Sequence, residues 1–123
     1  MNYTTGKMEW FDFPITDETK SLSFFEKLFN WHFTPMGLGY WMIEIDDQHI
    51  GALRKSDTRT NNTEHAFVPY FTVPSIKEAV SLLQKLGGQV DEPTVAIRDG
   101  ADGYFQRFTD LDGNLLSLWS KKP

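Results

Sequence analysis

The chain has 123 residues, which is enough for one domain, and its 40% hydrophobic and 24% charged residues are usual for a folded globular protein. The formal net charge of −5 argues against nucleic-acid binding, because phosphate-binding surfaces are rich in Lys and Arg. Cysteine is absent, which excludes disulfides, thiol catalysis and Cys-ligated metal centres. No apolar run is long enough to cross a membrane and no signal peptide is recognisable, so we expect a cytoplasmic protein. Aromatic residues are unusually frequent at 15%.

The first half of the chain predicts a strand, a helix and three strands. Residues 8–15 alternate in polarity, as a half-buried strand does. After the possible N-cap Asp17, apolar residues recur every three or four positions as far as Asn30, which predicts an amphipathic helix. Three further strands are predicted at residues 31–36, 40–46 and 48–54.

The second half repeats this order after a polar segment, residues 55–64, that has no pattern of its own. A strand is predicted at residues 66–73, and the capping box from Ser75 to Glu78 predicts the start of a helix that ends at Gly87 and Gly88. Three more strands follow, at residues 89–97, 104–109 and 115–120.

The two halves are therefore interpreted as an internal repeat. A shift of 58 residues places Phe13 on Phe71, and a shift of 65 places Leu53 on Leu118. The predicted fold class is α+β: two βαβββ modules whose curved mixed sheets form a cup, with one helix per module on the outer face. We expect a single domain over residues 1–123, with module one at about 8–54, a linker at 55–65 and module two at about 66–120.

Three segments carry a resemblance to a known family. They are FPITDETKSLSFFEKLFNW, VPYFTVPSIKEAVSLLQKLGGQV and TDLDGNLLSLW, the last being similar to the motif DPDGNxxEL with Leu111 in place of the usual Pro. Over roughly residues 8–120 the chain resembles the vicinal oxygen chelate superfamily, which includes glyoxalase I, bleomycin-resistance proteins and extradiol dioxygenases. Members of this size often pair, so the resemblance implies a homodimer.

Metal-using members of that superfamily offer two ligands per module, one on its first strand and one on its last. The resemblance places Trp10 and Val68 at the first-strand positions, and Ala52 and Ser117 at the last-strand positions. None of these four is His, Glu, Gln or Asp, the residue types that hold such ions. The histidines also lack metal-site spacing; they are His32, His49 and His65. We therefore expect no divalent metal and no other cofactor.

Strand alternation predicts which side chains face the helices and which face the cup. The helix-facing set is Phe11, Phe13, Ile15, Trp41, Ile43, Ile45, Phe67, Phe71, Val73, Leu116 and Leu118. The predicted cup residues are Trp10, Asp12, Tyr40, Met42, Glu44, Val68, Tyr70, Thr72, Ser117 and Trp119, together with Arg107, which the resemblance places near the border of the cleft. Large aromatics with two carboxylates suit a small aromatic or cationic molecule. We expect such a ligand, and neither nucleic acid nor a membrane, as the partner.

Other interpretations stay open at this point. The cup could be filled by its own side chains in a dimeric interaction module, with Asp12 in an ion pair with Arg54 or Arg107. Asp12 or Glu44 could act as a general acid or base if desolvated, whereas Ser117 has no nearby His to make it a nucleophile. A metal-dependent lyase or dioxygenase of the same superfamily is the remaining alternative, and whether the chain is an enzyme stays undecided.

Overall fold

The computed structural model describes residues 5–6, 8–59 and 67–123. Most of the predicted linker, the predicted start of module two at residue 66, and His65 lie outside the described residues. The helices and strands are β1 (Asp12–Ile15), α1 (Glu18–Phe29), β2 (His32–Pro35), β3 (Tyr40–Ile45), β4 (Gln48–Lys55), β5 (Tyr70–Thr72), α2 (Ile76–Lys85), β6 (Val95–Ala96), β7 (Tyr104–Thr109) and β8 (Leu115–Ser120). Among the described residues, no helix is long and apolar enough to cross a membrane.

These strands form two four-stranded mixed sheets of identical topology. Sheet A has the order β1-β4-β3-β2 and sheet B the order β5-β8-β7-β6, each with its first strand parallel to its last. Phe13 lies opposite Leu53 in sheet A, and Phe71 lies opposite Leu118 in sheet B. These two pairs are the residues that the two sequence shifts placed on each other. The predicted α+β fold of two βαβββ modules is confirmed.

Local side-chain hydrogen bonds begin both helices where the sequence predicts. The Asp17 carboxylate accepts the Lys20 N–H at 3.1 Å, and the Ser75 hydroxyl oxygen accepts the Glu78 N–H at 3.3 Å. Each bond satisfies an N–H that has no partner within its helix. The helices therefore start at fixed positions relative to the strands that precede them.

Both modules share one hydrophobic core, and Trp31 lies in the middle of it with only 2% of its surface exposed. Its ring centroid is 5.0 Å from Phe29, 5.1 Å from Phe25 and 5.2 Å from Phe71. Phe25 and Phe29 belong to module one, whereas Phe71 belongs to module two. Aromatic packing therefore joins the modules.

Two predictions about the second module are wrong. Phe67, predicted to face a helix, is 82% exposed, because β5 begins only at Tyr70 and the strand alternation does not extend back to it. The predicted strand at 89–97 is reduced to the Gln89–Thr109 bridge and the two residues of β6. Between them the Gln106 side chain donates to the Glu92 carbonyl at 2.6 Å, so a side chain takes the place of strand pairing.

The turn between β7 and β8 fastens module two to module one. The Asp112 carboxylate accepts hydrogen bonds from the Thr16 N–H at 3.1 Å, from the Thr16 hydroxyl, and from the Ser21 hydroxyl at 3.0 Å. The Asn114 amide donates to the Pro14 carbonyl at 2.7 Å. The motif that carries the family resemblance thus binds the start of α1 and the end of β1.

The same turn contains a carboxyl group with an altered affinity for protons. Asp110 is buried, and burial raises its pKa from 3.8 to about 6, against the lowering effect of hydrogen bonds from Asn114 and Asp112. The unfolded chain loses this proton near pH 4, whereas the folded chain keeps it to about pH 6. Stability from the protonated form is therefore present below pH 4 and lost as the pH rises to 6.

We expect the raised pKa of Asp110 to be detectable when the wild type is compared with Asp110→Asn, whose side chain does not ionise. The free energy of unfolding of the wild type, minus that of the variant, should fall by about 2 kcal/mol between pH 4 and 6.5, since this window covers most of the interval between the two pKa values. Urea unfolding at several pH values measures it. Parallel curves for the two proteins would contradict the raised pKa.

Candidate functional site

The face of sheet A that points away from the core carries two ion pairs. The Arg54 Nε is 3.0 Å from the Asp12 Oδ1, and the His49 Nε2 is 3.3 Å from the Glu44 Oε2. A β-bulge between Ile43 and Glu44 brings Glu44 opposite His49. All four side chains are half-exposed, and each carboxylate lies close to a nitrogen of arginine or histidine.

Aromatic residues lie on the same face. The Trp10 indole N–H donates to the Tyr40 hydroxyl at 3.2 Å, and Met42 lies on β3 beside Ala52 of β4. The predicted cup residues of module one, Trp10, Asp12, Tyr40, Met42 and Glu44, therefore share one surface. Of the two ion-pair partners proposed for Asp12, the structure selects Arg54.

The equivalent face of sheet B is aromatic with one cation. The Tyr70 and Phe105 rings meet edge to face at 5.6 Å, and the Arg107 guanidinium carbon lies 5.8 Å from the centre of the Phe105 ring. Phe105 is not among the predicted cup residues, although alternation along β7 places it on the same side as Arg107. The Trp119 indole N–H donates to the Asp102 carbonyl at 3.1 Å, which fixes Trp119 beneath the loop before β7.

Three predicted cup residues of module two contribute less to this face of sheet B. Thr72 is exposed at the end of β5, and Val68 is half-buried just before that strand. Ser117 is fully buried, and its hydroxyl donates to the Gln106 carbonyl at 3.2 Å. The Ser117 hydroxyl therefore bonds to backbone groups, and a histidine is not among its hydrogen-bond partners.

The side chains at the four metal positions implied by the resemblance do not fit a divalent ion. They supply an indole, an isopropyl group, a methyl group and one hydroxyl, from Trp10, Val68, Ala52 and Ser117. The indole N–H and the hydroxyl are both donors in the hydrogen bonds described above. Across residues 5–6, 8–59 and 67–123, no group of three or more His, Asp or Glu side chains is placed to hold a metal ion.

A cleft between the modules joins Asp12 to apolar groups of both. Its volume is about 190 Å³, and its lining is Phe11, Asp12, Phe13, Phe67, Pro69, Asn114, Leu115 and Leu116. Asp12 is the one charged side chain in this lining. Of the other predicted cup residues, Thr72 lines a second cavity between the modules, of about 380 Å³, whose lining includes Lys27 and no carboxylate.

Arg107 lines a different cavity, of about 270 Å³, at the outer side of β7. Its other charged residues are Asp91 and Glu92, both exposed. The two carboxylates would repel an anion drawn to Arg107, so this cavity has no consistent charge preference.

The family follows from a comparison of the whole sequence with family models. The model of the Glyoxalase/Bleomycin resistance protein/Dioxygenase superfamily matches residues 7–118. The chain belongs to this superfamily. The resemblance found in the three sequence segments is thereby confirmed.

Solved structures of superfamily members have the same fold. The fosfomycin resistance protein FosX from Listeria monocytogenes superposes with a TM-score of 0.75 at 18% identity, covering 95% of this chain and 94% of that one. A glyoxalase/bleomycin resistance protein/dioxygenase family enzyme from Burkholderia phytofirmans gives 0.73 at 9% identity, with 94% and 98% covered. A search of curated protein sequences finds no significant match.

One FosX variant from Listeria monocytogenes was solved with Mn(II) and 1S,2S-dihydroxypropylphosphonic acid, at 19% identity and a TM-score of 0.72, with 95% of this chain and 90% of that one covered. At such identities the likeness concerns the fold alone. Whether a superfamily member uses a metal depends on the side chains that its strands present.

Proposed function

We propose that this superfamily member binds a small organic molecule with an aromatic ring or a positive charge, and that it does so without a metal ion. The observation that supports this most directly is the cleft between the modules, which combines one carboxylate with aromatic walls. Phe11 and Phe67 are aromatic residues of this lining, and Asp12 is its charged residue. Homodimerisation and a cytoplasmic location belong to the same proposal.

The size of the cleft favours a ligand with a single ring. A protein cavity of about 150 Å³ lined by apolar side chains is able to hold benzene. The cleft is slightly larger, at about 190 Å³, and it opens beside the half-exposed Asp12. A benzyl group carrying a quaternary ammonium would fill the apolar part and place its charge near the carboxylate.

Binding fits these residues better than acid–base catalysis. Asp12 and Glu44 are half-exposed and already contact Arg54 and His49, so neither carboxylate is held in an enclosed site ready for proton transfer. A cationic ligand needs only to share Asp12 with Arg54, which the exposed geometry allows.

The first experiment titrates benzyltrimethylammonium, with benzyl alcohol and benzoate as the neutral and anionic comparisons, by calorimetry and thermal shift. We expect the cation to bind best, and Asp12→Asn to weaken its binding about tenfold, which corresponds to about 1.4 kcal/mol, because the variant removes the negative charge of the cleft. Asp47→Asn removes the same charge in the β3–β4 turn, where φ is +61° and Asn is tolerated. It should bind like the wild type.

Two results would contradict the proposal. One is equal binding of the three compounds, or none, by the wild-type chain. The other is stoichiometric Mn, Zn, Ni or Fe in the purified protein together with loss of binding in EDTA, which would indicate a metal-dependent member instead. Sedimentation velocity tests the homodimer separately.

A further inference from the structure

On the outer face of sheet A, two aromatic side chains meet above the strand that lies between them. Trp10 precedes β1 and Tyr40 begins β3, with β4 between these strands. Their hydrogen bond of 3.2 Å requires both side chains to cross β4. Ala52 of β4 is paired with Asp12 on one side and Met42 on the other, and it is fully buried although it points away from the core. We call the Trp10–Tyr40 pair the first aromatic bridge.

Sheet B repeats the arrangement with different residues. Tyr70 of β5 and Phe105 of β7 meet at 5.6 Å across β8, which lies between their strands. Ser117 of β8 is paired with Tyr70, and it too is fully buried. This second aromatic bridge therefore also crosses a small residue at the position where the resemblance expects a metal ligand.

The two bridges differ in what lies on their rings. Arg107, a cation of the protein itself, lies over the Phe105 ring of the second bridge. Among the described residues, no cationic side chain lies over a ring of the first bridge, because Arg54 is paired with Asp12 instead. Trp10 is nevertheless 41% exposed, so part of its ring is open to solvent.

We propose that the first aromatic bridge is the surface that contacts the cationic group of the ligand, and that Ala52 sets the depth of this contact. This inference rests on the proposed binding function and specifies its ligand as an organic ammonium. Rings attract such cations most strongly when few water molecules intervene, and the Asp12 carboxylate in the same row as Ala52 adds its charge. Because the Ala52 side chain is only a methyl group, the two rings lie close to the sheet. At this height a cation contacts both the rings and the Asp12 carboxylate.

The test is Ala52→Leu, probed with benzyltrimethylammonium and with benzyl alcohol as its uncharged counterpart. The larger side chain pushes the indole and the phenol apart, so affinity for the cation should fall at least tenfold while affinity for the alcohol changes less than twofold. Ala96→Leu, the same change at an exposed site on β6, is the control and should leave both affinities unchanged. Trp10→Ala, at a half-exposed position, should reproduce the cation-specific loss if Ala52→Leu does not fold.

The possible outcomes separate the two proposals. If the wild type binds the cation and the folded Ala52→Leu or Trp10→Ala variant binds it equally well, the inference about the bridge is overturned and the binding function stands. An equal loss for the cation and the alcohol would also overturn it, because general damage to the cleft would explain that result. If the wild type binds neither compound, the binding function fails and the inference fails with it.

Discussion

Replacing Trp31 with alanine should lower the free energy of unfolding by about 3–5 kcal/mol, the range measured for deletion of a buried large aromatic side chain. Trp31 is 2% exposed and touches aromatic rings of both modules, so no neighbour is free to fill the space it leaves. Chemical denaturation followed by circular dichroism measures this change. Trp31→Phe, which keeps one ring, should cost much less.

Trp10→Ala provides the matched control for this experiment. The same side chain is deleted there, but Trp10 is half-exposed and lies outside the core cluster. Its loss should cost about 1 kcal/mol, mainly from the hydrogen bond to Tyr40. Similar losses at the two positions would show that Trp31 does not hold the modules together.

Replacing Asp112 with alanine should lower the free energy of unfolding by about 3 kcal/mol. The change removes the acceptor of one N–H and two hydroxyls, which lie in α1 and just before it. These groups belong to Thr16 and Ser21, in module one, whereas Asp112 belongs to module two. We therefore expect the two halves to lose cooperativity as well as stability, which hydrogen exchange of the two sheets measures.

Asp112→Asn separates the loss of charge from the loss of the acceptor. The remaining amide oxygen still accepts from Thr16, and the Ser21 hydroxyl is able to turn and accept from the new amide N–H. This variant should cost about 1 kcal/mol. If Asp112→Ala were as stable as the wild type, the hydrogen bonds between the turn and α1 would contribute nothing.

Local patterns in the sequence were sufficient for the order of elements and for the repeat. Capping at Asp17 and Ser75 depends on atoms three residues away, and alternation along β7 and β8 depends on neighbours two residues away. The same short range explains the failure at Phe67, where nothing local reveals that β5 starts only at Tyr70. Trp31 likewise carries no local signal of burial, because the rings around it come from α1 and β5.

The aromatic site could be predicted only in part. Strand alternation put Trp10, Tyr40 and Tyr70 in the predicted cup set, and in the structure Trp10 contacts Tyr40 while Tyr70 contacts Phe105. The positions of Ala52 and Ser117 came from the family resemblance. The sequence did not show which of two arginines pairs with Asp12, and Phe105 was not predicted as a site residue. Both depend on which strands lie side by side, and strand order is a long-range property.

The sequence by itself determined the two-module α+β fold and the superfamily, since helix caps and strand alternation are local and appear at matching places in both halves, and the TDLDGN motif of the second half is local as well. Tertiary structure alone decided that Asp12 pairs with Arg54, that Trp31 joins the modules, and that the small residues at positions 52 and 117 are buried on strands that lie between the strands of paired aromatic side chains. The physical reason is that a side chain's partners across a sheet or a core come from distant parts of the chain. The 15% aromatic content was therefore visible at once, but its division between a shared core and two outer faces was not.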